Sequence, residues 1–314
     1  MVKGERHGEE KPAPGDLVAR TIEALKANPD NPELHNNLGV LYFKGGRVDD
    51  AIKEFRDATR IRPDFHRARV NLGNAFLSRG LLDNAIMEYL EVRKAGHATA
   101  DVHANLGAAY ERRGMLDDAI REYAEASKLK PVDAAIRHSL GAACYKRGLV
   151  PEAVRELKEA IRISPENAEM HFGLGNIYYS RGMMSEAVDE YRETLRIAPK
   201  HVDARVRLAL THMKKDATDD AIRELREAIF ARPQMAAAHG YLSAALLKKG
   251  QITDAIQEQK EVVRLEPKSA DAYYNLGDLY AKNGQMQEAI EAYRTAQQID
   301  PAYAKARMEK EVEH

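Results

Sequence analysis

The sequence predicts an all-α solenoid assembled from repeated helix pairs, and three observations predict it. A leucine recurs every 34 residues at Leu38, Leu72, Leu106, Leu140, Leu174, Leu208, Leu242 and Leu276. An alanine keeps the same period at Ala51, Ala85, Ala119, Ala153, Ala187, Ala221, Ala255 and Ala289. Pro63, Pro131, Pro165, Pro199, Pro233, Pro267 and Pro301 close the units, with His97 as the one exception. A fixed period without insertions marks a stack of supersecondary modules, each burying its apolar face only against the next.

The elements follow in order. Residues 1–15 form a charged, Pro-containing N-terminal tail, and 16–31 carry Leu17, Thr21, Ala24 and Pro29 in the register of a second helix, a half-repeat. Eight 34-residue repeats occupy 32–65, 66–99, 100–133, 134–167, 168–201, 202–235, 236–269 and 270–303, and 304–314 is the length of one capping helix. Within each repeat the apolar and small residues fall at helical spacing in two stretches of about 13 residues, parted by Gly46, Gly80, Gly114, Gly148, Gly182, Gly250 or Gly284. Such a Gly suits a left-handed helix end, and the following Asp49, Asp83, Asp117, Ser185, Asp219 or Thr253 suits an N-cap. The sixth repeat puts Asp216 at the turn and the seventh puts Gln259 at an otherwise apolar or aromatic place. Small Gly39, Gly73, Gly107, Gly141, Gly175 and Gly277 let helix axes approach, with large residues filling the adjoining gap.

Together these residues resemble the tetratricopeptide repeat, whose leucine–glycine, tyrosine, alanine, phenylalanine and closing proline match from Pro32 to Tyr303. The resemblance implies a right-handed superhelix whose first helices line a concave face, and a scaffold that binds protein or peptide segments without catalysis.

Composition excludes several classes. The 48 Lys and Arg against 49 Asp and Glu provide no basic excess for nucleic acid, so an RNA-binding helical repeat is the weaker alternative. One Cys excludes an internal disulfide framework and a cysteine zinc site. Cys144 takes the place of Tyr110 and Tyr178 and reads as an inert core residue. No run is long and apolar enough to span a membrane, so no direct insertion is expected. Localisation reads as cytoplasmic, or periplasmic where a leader has been removed. No catalytic residues, cofactor or metal are expected. His35, His103, His171 and His239 alternate with Arg69, Arg137 and Arg205, but histidines in alternate repeats lie about 20 Å apart, too far to share a metal. The position is expected to pack between helices with its polar tip exposed.

The concave face is expected to carry the binding site: Asn37, Asn71, Asn74, Asn105, Asn176 and Asn275 as amides, with Tyr145, Phe172, Tyr179, Arg207 and Tyr241 between them and Tyr274 beside them. An amide donates and accepts, which suits a peptide backbone, and repeats about 10 Å apart match about three residues of extended chain. The row resembles the asparagine ladder of O-linked N-acetylglucosamine transferases, interrupted here by Ser139, Gly173, Arg207 and Tyr241. The carboxylate clamp of chaperone-binding relatives is missing from any three consecutive repeats. Lys44, Arg112, Lys146, Lys214, Lys248 and Lys282 end the first helices, and Glu33, Asp101, Glu169, Asp203 and Asp271 begin them, which predicts a groove with one basic and one acidic rim. Self-association through the termini is the other alternative.

Overall fold

The computed structural model describes residues 14–302; Tyr303, the expected capping helix 304–314 and nearly all of the expected tail lie outside them. All regular structure among the described residues is helical. Backbone contacts divide the chain into two compact units, Met1–Ile163 and Ser164–His314. The first holds α1 (Pro14–Ala27), α2 (Pro32–Lys44), α3 (Val48–Ile61), α4 (His66–Ser78), α5 (Leu82–Lys94), α6 (Ala100–Arg112), α7 (Leu116–Leu129), α8 (Ala134–Arg147) and α9 (Val150–Ile163). The second holds α10 (Ala168–Ser180), α11 (Met184–Ile197), α12 (Val202–Lys214), α13 (Thr218–Ala231), α14 (Ala236–Lys248), α15 (Ile252–Leu265), α16 (Ala270–Lys282) and α17 (Met286–Ile299).

Several first helices start where a side chain satisfies their free N–H groups: Asn31 accepts from the backbone of Glu33 at 2.9 Å, and Asp133, Asn167 and Ser269 cap α8, α10 and α16. Second helices start differently. Asp49, Asp83, Asp117 and Asp219 are not N-caps: α3, α5, α7 and α13 begin one residue earlier, behind Arg47, Leu81, Met115 and Ala217, none of which makes a side-chain cap bond. The acids sit in the first turn, where the helix dipole favours them. There they take a cation from the next repeat: Arg79 meets Asp49 at 2.9 Å, Arg113 meets Asp83 at 2.9 Å, Arg147 meets Asp117 at 2.7 Å and Lys249 meets Asp219 at 2.5 Å. Position in the turn needs positive φ: Gly148 has φ 89°, and Asp216, where glycine is missing, is held at φ 59°. Lys248 pairs with the Asp216 carboxylate and keeps its pKa below the ordinary value.

Size complementarity sets the contact inside each pair. A Cβ on Gly73 would stand 2.6 Å from the Tyr89 ring, and one on Gly277 2.5 Å from Tyr293. Where the glycine position carries Ala209 or Ser243, the facing residue is the slimmer Leu225 or Gln259. Both polar exceptions are satisfied: Ser243 Oγ donates to Ala255 O at 2.8 Å, and Gln259 Nε2 donates to Ala272 O at 2.9 Å.

Within the first unit, successive first helices touch (α2 with α4, α4 with α6, α6 with α8), and in the second unit α10 touches α12 and α12 touches α14. Second helices make no comparable approach to one another among the described residues. Closer spacing on one layer curves each stack toward its first helices, so within each unit they form the inner wall.

One buried titratable group makes a pH prediction. His212 takes the aromatic place of its repeat and is buried, and burial lowers its pKa from the ordinary 6.5. Asp220 and Glu224 facing it act the other way, while Arg192 and Arg223 add to the lowering. The unfolded chain therefore binds this proton more readily, and stability is lost as pH falls through 6.5, by at most about 1.4 kcal/mol per pH unit. Urea titrations at pH 7 and pH 5 should show that loss in wild type and a smaller one in His212→Leu; equal losses would remove His212 as the cause.

Candidate functional site

The His/Arg alternation is a structural latch, and its polar tips are not exposed as expected. In every repeat from the first to the seventh, this residue reaches a glutamate on the second helix of its own pair: His35 to Glu54 at 2.7 Å, Arg69 to Glu88 at 3.0 Å, His103 to Glu122 at 2.7 Å, Arg137 to Glu156 at 2.8 Å, His171 to Glu190 at 2.7 Å, Arg205 to Glu224 at 3.0 Å and His239 to Glu258 at 2.6 Å. In six of these seven repeats another nitrogen of the side chain meets the carbonyl of the preceding proline, as in His35 with Pro29 at 2.9 Å, Arg137 with Pro131 at 3.0 Å and His239 with Pro233 at 3.1 Å; the third repeat has His97 in place of that proline. A carbonyl only accepts, so the rings of His35, His171 and His239 donate through Nε2. Histidine and arginine are interchangeable here because both reach two acceptors on opposite sides. In the eighth repeat Tyr273 and Ala292 replace the two partners together.

The inner wall carries the expected binding residues in different states. Asn37 is exposed in α2 beside buried Asn36, whose Nδ2 donates to Asn37 Oδ1 at 3.4 Å. Asn71 Nδ2 donates to Asn36 Oδ1 at 2.8 Å, and Asn105 Nδ2 donates to Asn74 Oδ1 at 2.9 Å. The fully buried Tyr89 donates its hydroxyl to the same Asn74 oxygen at 2.6 Å, and Tyr191 does so to Asn176 at 2.9 Å. Two of these bonds pair amides across neighbouring repeats, and the tyrosine hydroxyls fasten Asn74 and Asn176 to the core, each amide retaining part of its bonding capacity. Tyr145 is half-buried in α8. In the second unit Phe172 packs its ring 4.7 Å from His201. Tyr179 lies under Lys214 Nζ at 4.3 Å and Arg207 at 5.9 Å. Tyr241 is exposed, and Asn275 donates to Asp271 at 3.1 Å. Tyr274, expected on the open face, is instead buried, its ring 4.9 Å from Tyr293, since burying an aromatic ring outweighs exposing it.

The expected basic and acidic rims are also corrected, because many of their charges are paired. Glu33 holds Arg62 at 2.7 Å and Arg67 at 2.6 Å, Asp101 holds Lys130 at 2.7 Å, and Lys146 holds Glu111 at 2.8 Å. Arg112 donates to Leu77 O at 2.6 Å. These links join neighbouring helices and offset the fields that two bare rows would set up.

The grouping with metal-ligand chemistry among the described residues is His35, Glu54 and Asp57, whose donor atoms lie within 4.8 Å of one another. Both ring nitrogens of His35 are already engaged and Asp57 takes Arg60 at 3.2 Å, so this is an ion-pair network. Cys144 is buried, and burial foremost, with Glu152 and Glu156 next, pushes its thiol pKa up, away from the thiolate that nucleophilic chemistry requires. No helix among the described residues is long and apolar enough to cross a membrane.

Residues 8–229, well over half the chain, match the family described as Cilia and flagella-associated protein 70 C-terminal domain, and residues 206–268 and 245–304 match the tetratricopeptide repeat. The chain belongs to the tetratricopeptide-repeat family. Comparison with curated proteins finds no match. Among solved structures, YrrB, described as a TPR protein with an unusual peptide-binding site, is 23% identical, covering 60% of this chain and 97% of its own with a TM-score of 0.52. MamA from Desulfovibrio magneticus RS-1 is 23% identical over 54% of this chain and 96% of its own, TM-score 0.51. PilF of Pseudomonas aeruginosa is 16% identical over 68% and 97%, TM-score 0.56. These likenesses establish the fold.

Proposed function

We propose that this tetratricopeptide-repeat chain is a non-enzymatic scaffold whose inner walls hold a peptide or protein segment. The observation that carries the reading is the two amide pairs Asn36–Asn71 and Asn74–Asn105, each oriented by a bond across neighbouring repeats, the second anchored by Tyr89. Pre-oriented amides lower the ordering cost of gripping an extended backbone. In the second unit Phe172, Asn176, Tyr179, Arg207, Tyr241 and Asn275 supply rings beside amides and a cation, a combination suited to peptide recognition. Nucleic acid is the weaker reading, because much of the arginine and lysine charge is held by neighbouring carboxylates.

Asn37 and Arg207 are exposed, so the triple variant Asn37→Ala, Arg207→Ala, Tyr241→Ala tests the walls with little risk to folding. Partners co-purified with the full chain should lose affinity for it on the order of 100-fold, the sum of three contacts worth about 1 kcal/mol each. Met87, 54% exposed on second helix α5, is the control site. Binding unchanged in the triple variant but lost in Met87→Ala would overturn the proposal.

A further inference from the structure

The inner wall of the second unit carries two cations that share an aromatic ring where other repeats supply an acid. Lys214 stands at the thirteenth place of its repeat. At that place Lys146 meets Glu111 and Lys248 meets Asp216, each reaching an acid of the preceding repeat. In the fifth repeat the residue at the place of Glu111 is Tyr179. Lys214 Nζ therefore lies over that ring, 4.3 Å from its centroid, and the Arg207 guanidinium lies 5.9 Å from the same centroid. Arg207 itself stands at the sixth place, which is uncharged in every other repeat. A ring draws a cation by its quadrupole but carries no net charge, so it holds both side chains in place and cancels neither.

The surrounding acids are committed elsewhere. Those of α10, α12 and α14 are Glu169 and Asp203, both in first turns. Glu169 faces His201 at 3.3 Å, and Asp203, one turn before Arg207, faces Arg232 at 3.8 Å. Neither Arg207 nor Lys214 makes an ion pair among the described residues, and both are exposed, with Tyr179 half-buried between α10 and α12. Arg205, the other arginine of α12, is spent on Glu224. Seven residues apart, Arg207 and Lys214 fall on one face of α12, about two turns from each other.

We infer that Tyr179, Arg207 and Lys214 form an anion site for an acidic side chain, a carboxylate or a phosphate group, of the bound segment. A guanidinium grips either group through paired N–H donors, and an ammonium adds a point charge beside it. The inference rests on the peptide-binding reading above and names the sequence class that reading leaves open.

The test selects a random twelve-residue peptide library displayed on phage against the full chain, then titrates synthetic copies of the enriched peptides. Enriched peptides should carry Asp or Glu, and exchanging that residue for Asn or Gln should weaken binding about tenfold or more. Arg207→Gln combined with Lys214→Gln should impose a similar loss and remove most of the salt dependence seen with wild type, while melting as wild type because both side chains are exposed. Should the double variant melt lower, the Asn and Gln copies titrated against the wild-type chain decide instead. A phosphoserine copy that binds tighter than its Glu parent assigns the site to phosphorylated segments, and one that binds more weakly assigns it to carboxylates. Acidic peptides that bind the double variant like wild type but fail on Asn37→Ala combined with Tyr241→Ala would overturn the anion site and leave the groove standing. Enrichment of peptides without an acid would also overturn it. A library that yields no binder would overturn the site and the groove together.

Discussion

Tyr89→Ala should lower the stability of the first unit by about 3 to 5 kcal/mol, the cost of deleting a fully buried aromatic side chain. Tyr89 has no exposed surface, its ring lies on the backbone of Gly73, and its hydroxyl donates to Asn74 at 2.6 Å. Burial holds that hydroxyl protonated by raising its pKa above the ordinary value, so the donor persists across the accessible pH range. Tyr89→Phe separates the two contributions: it keeps the ring and should cost about 1 kcal/mol, the worth of one hydrogen bond. Gly73→Ala alone should also destabilise, because the overpacking cost of about 1 to 3 kcal/mol exceeds the roughly 1 kcal/mol of helix propensity regained. Paired with Tyr89→Leu it should approach the Ala209 and Leu225 arrangement of the sixth repeat, and the double variant should be more stable than additivity predicts. Hydrogen exchange across α4 and α5 reads each variant. Protection in Tyr89→Ala equal to wild type would show that the ring does not hold the pair, and strict additivity would show that the glycine and the ring are not matched.

The architecture was legible because stacking requires the same residue at the same place in every module. Leu38 and its successors, the alanines and the prolines are repeated solutions to one packing problem, and no insertion blurs them. Helix starts were less legible. Asp49 sits one residue inside α3, and a carboxylate in the first turn and one at the N-cap satisfy the same preference for negative charge. The row from Glu54 to Glu258 keeps the 34-residue period as strictly as the leucines. Its role stayed hidden because its partner lies 19 residues away on another helix and changes between His and Arg. Inner-wall residues were placed by register alone, which orients Asn37 and Tyr241 but not Tyr274, whose ring turned toward Tyr293.

His171→Arg should leave the second unit within about 1 kcal/mol of wild type, the usual range for a change that keeps its contacts, whereas His171→Leu should cost about 2 to 3 kcal/mol. The difference follows from the two acceptors at the site. His171 Nδ1 faces Glu190 at 2.7 Å and Nε2 faces Pro165 O at 3.0 Å, and the side chain is only 9% exposed. Leucine fills the volume but leaves a carboxylate and a carbonyl without a donor in a largely dry place, and that desolvation outweighs the added apolar area. Arginine reaches both acceptors, as Arg137 does with Glu156 and Pro131 and Arg205 with Glu224 and Pro199. Glu190→Leu combined with His171→Leu should regain part of the loss, because removing both partners strands only the carbonyl. The latch ties an inter-repeat loop to both helices of the following pair, so its failure should also reduce the coupling between neighbours, seen as a broader urea transition for His171→Leu than for His171→Arg. Equal stabilities for the arginine and leucine variants would refute the two-acceptor account and reduce the alternation to a matter of side-chain size.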